Sequence, residues 1–186
     1  MGWLARRPER RRRERHERQR ALELREASLI KWAREHSVGV VVKRNGRVFI
    51  DIRSRTENGF ALPVGAPLAI DSSDDATLLG ETILQGLAQS NREFLPERNL
   101  RTHPLGGEVF DLRKVKSWAE WVRHARLVSI RADYDDAVGE IRITPWHNHG
   151  RSRASVVEGG EVTIVYESPA QLGRAVQEAM AKASTV

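Results

Sequence analysis

The chain has no cysteine, which rules out disulfides and zinc–thiolate sites. It has no run of 18 apolar residues, so no helical membrane span is expected. An apolar signal core is missing from the N-terminus, which argues against export through a cleaved signal. Also missing are a Gly-rich phosphate loop and a nucleophile elbow, since Gly106-Gly107 and Gly159-Gly160 read as simple turn pairs. No Ser/His/Asp order can be read, and no cofactor motif is found. Together these absences point to a cytoplasmic protein, and 186 residues suit one ordinary domain or two small halves sharing a core.

Charge is present in quantity but unevenly placed. The net charge is +6, and arginine supplies 26 of the 31 basic residues. Residues 1–26 hold ten arginines against five glutamates, whereas 27–186 are close to neutral. The basic character thus belongs to an N-terminal arm rather than to the folded part. Between Arg6 and Arg20 the arm has no apolar residue except Pro8, so it cannot be a core element. Glu9/Arg13 and Glu14/Arg18 lie four apart and can support a solvated helix. Three readings stay open for residues 1–26: a solvated or disordered arm, an arm attracted to nucleic-acid phosphates, or translation starting further downstream. Apolar residues return from Ala21, and a helix is expected to about His36.

The folded part reads as one unit used twice. Val38–Lys43 and Arg47–Ile52 flank Asn45-Gly46, a hairpin signal in which both central residues would need positive φ. A loop (56–65) and a short strand (67–70) lead to a helix from about Asp75 to Gln89, with acidic residues expected in its first turn. Leu79, Ile83 and Leu87 define its buried face.

The second half repeats this order. Arg126–Arg131 and Gly139–Thr144 alternate as strands around an acidic turn. An exposed loop (145–160) follows, then a strand (162–166) and a helix opened by Ser168-Pro169. Leu172-Gly173, Val176 and Met180 stand at a constant offset from Leu79-Gly80, Ile83 and Leu87. A glycine inside a helix costs about 1 kcal/mol relative to alanine. Its recurrence at the same place predicts a close helix–sheet approach. Residues 91–114 read as a polar connection, and Ser117-Trp118-Ala119-Glu120 as a capping box. The expected fold is α/β: a single domain of two related β-β-β-α halves, about 38–90 and 115–186, behind an N-terminal charged helix or arm.

A Leu-Gly helix, a polar connection, SWAEWVRHARLVSIRADYDDAVGEIRITP and then ESPAQLGRAVQEAMAKA resemble the immunity proteins of contact-dependent growth inhibition systems, the CdiI type. The resemblance covers roughly residues 38–186. It implies a small cytosolic α/β protein without catalysis that blocks the C-terminal toxin domain of a large surface effector, in many such systems a nuclease. It brings no catalytic residues to carry over.

Candidate contact residues come from chemistry. Asp133, Asp135, Asp136 and Glu140 form an acidic cluster that could occupy the phosphate-binding side chains of a basic nuclease. The cluster lacks the glycine and the later bidentate Glu of a calcium loop. Trp146, His147, His149 and Arg151 form the second candidate, because Trp and Arg are enriched at interfaces. His147-Asn148-His149 also has a metal-ligand spacing, yet Glu158 and Glu161 complete no recognisable ligand set, so no metal is expected. A different class remains open, an RNA-binding protein or ribonuclease using the Arg-rich arm and the His147/His149 pair.

Overall fold

The computed structural model describes residues 19–20, 35–57, 59–92, 95–96, 110–133, 139–150 and 154–185. The arm (apart from Gln19-Arg20), the apolar segment after it, most of the polar connection, Asp135, Asp136 and Arg151 lie outside the described residues.

The first half comprises β1 (Glu35–Val42), β2 (Val48–Arg55), β3 (Ala61–Pro63), β4 (Leu68–Ile70) and helix α1 (Ala76–Gln89). A short helix α2 (Trp118–Trp121) precedes the second half. That half comprises β5 (Arg126–Asp133), β6 (Glu140–Asn148), β7 (Ala154–Val156), β8 (Val162–Val165), α3 (Pro169–Lys182) and β9 (Ser184–Thr185). Among the described residues, the strands form one sheet in the order β3-β2-β1-β5-β6-β7, with β4 also on β2 and both β8 and β9 on β6. The pairings are antiparallel except β6–β9.

The duplication is visible in this pairing. β2 carries β4 against Val48–Ile50 and β3 against Arg53–Arg55. β6 carries β8 against Glu140–Ile143 and β7 against Trp146–Asn148. The halves join through β1 and β5, whose ladder runs from Glu35↔Asp133 to Val42↔Arg126. Each half thus has one more short strand than the expected β-β-β-α order. β3 and β7 fall in stretches that read as loops, because three-residue edge strands carry little sequence pattern.

Three local expectations are corrected. Glu35 and His36 belong to β1 rather than to a helix, since β5 continues to Asp133 and offers them a ladder partner. The first hairpin is a three-residue loop: Lys43 N–H donates to Arg47 O at 2.9 Å, and Gly46 N–H to Lys43 O at 3.0 Å. Only Gly46 takes positive φ there (83°), so Asn45 is not required to. The first turn of α1 holds no acid. Asp75 is instead its N-cap, accepting from Thr77 N (2.9 Å) and Leu78 N (3.0 Å).

α1 and α3 lie on one face of the sheet and bury its apolar side chains. Alternate residues of each central strand point there: Val38, Val40 and Val42 from β1, Val128, Ile130 and Ala132 from β5. Each fully buried Val or Ile contributes roughly 1.5–3 kcal/mol relative to exposure. The helices add Leu79, Ile83 and Leu87, and Leu172, Val176 and Met180.

The paired glycines serve a helix–helix contact rather than the expected helix–sheet one. A Cβ on Gly80 would lie 1.9 Å from the Pro169 carbonyl oxygen, at the first turn of α3. A Cβ on Gly173 would lie 1.8 Å from the Ala76 carbonyl oxygen, at the first turn of α1. The contact is reciprocal, so the two backbones touch where any side chain would hold them apart. Close approach to the sheet falls to Gly86, whose Cβ would lie 2.9 Å from Ile50 Cγ2 and 3.1 Å from Val38 Cγ1.

Candidate functional site

The face of the sheet opposite the two long helices is organised in cross-strand rows. Alternation puts Val41, Gly39 and Ser37 of β1 on this face and leaves Val38, Val40 and Val42 on the other. The first row is apolar: Phe49, Val41, Leu127 and Trp146 are successive ladder partners. The second is polar, running Asp51, Gly39, Ser129, Thr144. The third is basic: Arg131 lies between Ser37 and Arg142, and Arg53 approaches from β2.

Helix α2 covers the apolar row. Trp121, Val122 and Ala125 pack on Val41, with Phe49, Val115, Trp118 and Leu127 around them. Phe49 and Trp121 meet edge to face, with centroids 4.9 Å apart. The capping box forms with one change. Ser117 Oγ accepts from Glu120 N at 3.2 Å, but Glu120 Oε2 accepts from the amide of Lys116 at 2.8 Å rather than from Ser117. Asn148 fixes the other end of the helix, donating through Nδ2 to Val122 O and Ala125 O, each at 2.7 Å.

Beneath α2 lies a buried ion pair. Arg113 donates through Nε (3.0 Å) and Nη2 (2.6 Å) to Asp51 Oδ1, and through Nη1 to Gly65 O (3.0 Å). Trp121 Nε1 donates to Asp51 Oδ2 at 2.8 Å. Both charged side chains are fully buried. Lys43 lies over the Trp121 ring, 4.2 Å from its centroid, and donates to the Trp121 carbonyl. Burial pulls the Lys43 ammonium below its ordinary pKa, and the charges of Asp51 and Glu120 oppose this in part.

In the basic row Arg131 and Arg142 are exposed. Arg53 is half-buried and crosses Gly39, where a Cβ would lie 2.2 Å from its Nη2. It reaches Ser129 Oγ at 3.4 Å, and the same oxygen accepts from Trp146 Nε1 at 2.9 Å. Among the described residues no carboxylate lies within ion-pair distance of Arg53, whereas Arg131 meets Glu35 (3.5 Å) and Arg142 meets Glu161 (3.7 Å). Burial lowers the Arg53 pKa, Asp51 opposes, and the Arg131 charge adds to the lowering. Glu35 also pairs with Arg55, which donates to Gly59 O at 2.8 Å. Past Ile52 the ladder between β1 and β2 gives way to Asn91, in a left-handed conformation (φ 56°). Its side chain donates to Glu35 O and accepts from Arg55 N, both at 2.9 Å.

The sequence-derived candidates fall in separate places. Trp146 and His147 lie in β6 and not in an exposed loop, because β6 runs on to Asn148 with partners on both edges. Trp146 is half-buried on the polar face. His147 points to the other face, where Nδ1 meets Ser184 Oγ at 2.7 Å. His149 is exposed just past β6, with Nε2 2.9 Å from Ser155 Oγ, and the two imidazole centroids are 6.4 Å apart. Asp133 and Glu140 are exposed at the opposite end of the β5–β6 hairpin. Between Ala132↔Ile141 and Leu127↔Trp146 there are five residue steps, about 17 Å of strand. The structure therefore does not bring the acidic turn and the Trp–His segment together. Among the described residues, no group of three or more His, Asp or Glu is placed to hold a metal ion, and no helix is long and apolar enough to cross a membrane.

Asp51, Arg53, Arg113 and Asn148 were not singled out from the sequence. Asp51 carried a readable signal, a carboxylate within the otherwise apolar run Val48–Ile52. Arg113 did not, since its partner is 62 residues away.

No family model matches this chain, and no curated protein matches it. Solved structures share its fold, two of them as follows. A protein of unknown function from Neisseria meningitidis aligns over 80% of this chain and 94% of its own, with a TM-score of 0.60 and 18% identity. A chain of the CdiA-CT/CdiI toxin and immunity complex from Yersinia pseudotuberculosis aligns over 80% of this chain and 97% of its own, with a TM-score of 0.55 and 14% identity. At these identities the likeness is one of fold.

Proposed function

We propose that this chain is an immunity protein of the contact-dependent growth inhibition type. It binds the C-terminal toxin domain of a large surface effector in the cytoplasm and neutralises it by stoichiometric association, without turnover. The observation that carries this reading is the fold shared with a chain of a toxin and immunity complex over nearly the whole of that chain. It agrees with the motif order noted in the sequence. The toxin is proposed to be a nuclease, with the exposed carboxylates of Asp133 and Glu140 facing its basic groove and increasing the association rate.

The ribonuclease reading draws less support. It needs His147 and His149 presented together to a substrate, but His147 is half-buried with Nδ1 against Ser184 whereas His149 is exposed with Nε2 against Ser155.

Co-expression tests the proposal, using the toxic C-terminal domain of an effector encoded beside this gene. The chain alone should leave growth unchanged and should rescue cells from that toxin. In vitro, toxin activity should fall to zero at one molar equivalent. Growth arrest by the chain alone, or loss of toxin activity at a small fraction of an equivalent, would refute it.

A further inference from the structure

We infer that Arg53, aligned by Gly39 and Ser129, forms a receptor for a single carboxylate group on the polar face of the sheet. Three observations converge on it. First, Arg53 is half-buried, and among the described residues its guanidinium has no carboxylate in reach and makes a single hydrogen bond, a long one to Ser129 at 3.4 Å. A guanidinium has five N–H donors in a planar fork, so most of its capacity is unused. Second, the absent side chain at Gly39 is what lets the guanidinium lie across β1, because a Cβ there would overlap it. Third, Ser129 Oγ accepts from both Trp146 and Arg53. Its own proton is thereby turned away from both donors, free to be given to an oxyanion beside the guanidinium.

Pairing singles out Arg53 among the arginines around the site. Arg113 has Asp51, Arg142 has Glu161, and Arg55 and Arg131 share Glu35. Of these five arginines, Arg53 alone has no carboxylate within ion-pair distance among the described residues. One carboxylate, planar like the guanidinium fork, supplies the missing partner. If the partner is a toxin domain, the group is an Asp or Glu side chain of that domain; this assignment of source rests on the proposed function, but the site does not.

The test uses the full chain without any partner. Thermal unfolding is followed in sodium acetate, sodium chloride and sodium phosphate at equal ionic strength. A site with a Kd of about 10 mM, given about 100 mM acetate, changes the folding constant roughly tenfold. That corresponds to a melting temperature about 3–5 °C higher than in chloride. The acetate increment should vanish in Arg53→Met and in Gly39→Ala, which displaces the guanidinium. The Arg53 Nε–H resonance of the wild-type chain should shift saturably with acetate, a reading that needs no variant. The proposal is overturned if acetate and chloride act alike on the wild type, if the increment survives in Arg53→Met, or if phosphate exceeds acetate.

Discussion

Replacing Gly173 by alanine tests the reciprocal helix contact. In an isolated helix this change stabilises by about 1 kcal/mol. Here the new methyl would stand 1.8 Å from the Ala76 carbonyl oxygen and 2.6 Å from its carbonyl carbon. An unstrained carbon–oxygen contact is about 3.3 Å, so α1 and α3 must separate by about 1.5 Å. The obstacle is main chain at the start of a capped helix and cannot swing aside as a side-chain end would. Overpacking of this kind costs about 1–3 kcal/mol, and more where backbone must move. Parting the helices also forfeits dispersion contacts along the shared face. Setting roughly 3–4 kcal/mol of cost against the helical gain leaves a net loss of about 2–3 kcal/mol. Urea unfolding should show a lower midpoint with an unchanged slope. Gly80→Ala should behave alike, since it meets the Pro169 carbonyl at 1.9 Å. The double variant should lose less than the sum, because one substitution already opens the space the other needs. A stabilised Gly173→Ala, or strict additivity in the pair, would show that the helices do not meet through these glycines.

Two further outcomes follow from the buried charges. Asp51→Ala leaves the Arg113 guanidinium buried and the Trp121 indole N–H without its acceptor, so a loss of about 3–5 kcal/mol is expected in denaturant unfolding; a loss under 1 kcal/mol would mean that the pair is dispensable. Lys43 has its folded pKa pulled below the unfolded 10.5 by burial. The unfolded chain then binds more protons between the two values, so stability rises with pH across that alkaline window. Relative to Lys43→Met, the wild type should gain stability as pH approaches 10.5 and show no relative change near neutrality, and a flat difference across the alkaline range would contradict this.

Much of the fold could be read from local pattern. Valine alternation in Val38–Val42, the Ser168 cap with Pro169 and the spacing Leu79-Ile83-Leu87 are short-range signals, and each forms the element it predicts. The Leu-Gly echo correctly placed two equivalent helices but missed what the glycine touches, because a constant offset records equivalence and not contact. The candidate site was less legible. Pro145-Trp146-His147-Asn148 has the polarity of a loop, and only the ladder partners supplied by β5, β7 and β9 make it strand. The Arg53 site depends on a glycine from one strand and a serine from another, brought together across β1 by register. No local pattern encodes such a juxtaposition.

The β1–β5 ladder joins the halves across about ninety residues of chain, with Gly39 opposite Ser129, and this bears on the order of folding. The first hairpin closes locally, but its β1 edge finds a partner only after β5 has been made. Until then that edge offers unpaired amides and carbonyls, the usual template for association with another chain. Long-range closure of this kind is slow relative to hairpin formation. A chain that stopped after α1 would also leave Gly80 without the Pro169 backbone it rests on. The two-half design therefore leaves the first half with two open surfaces that close at different times, the β1 edge once β5 has been made and the seat at Gly80 only once α3 has.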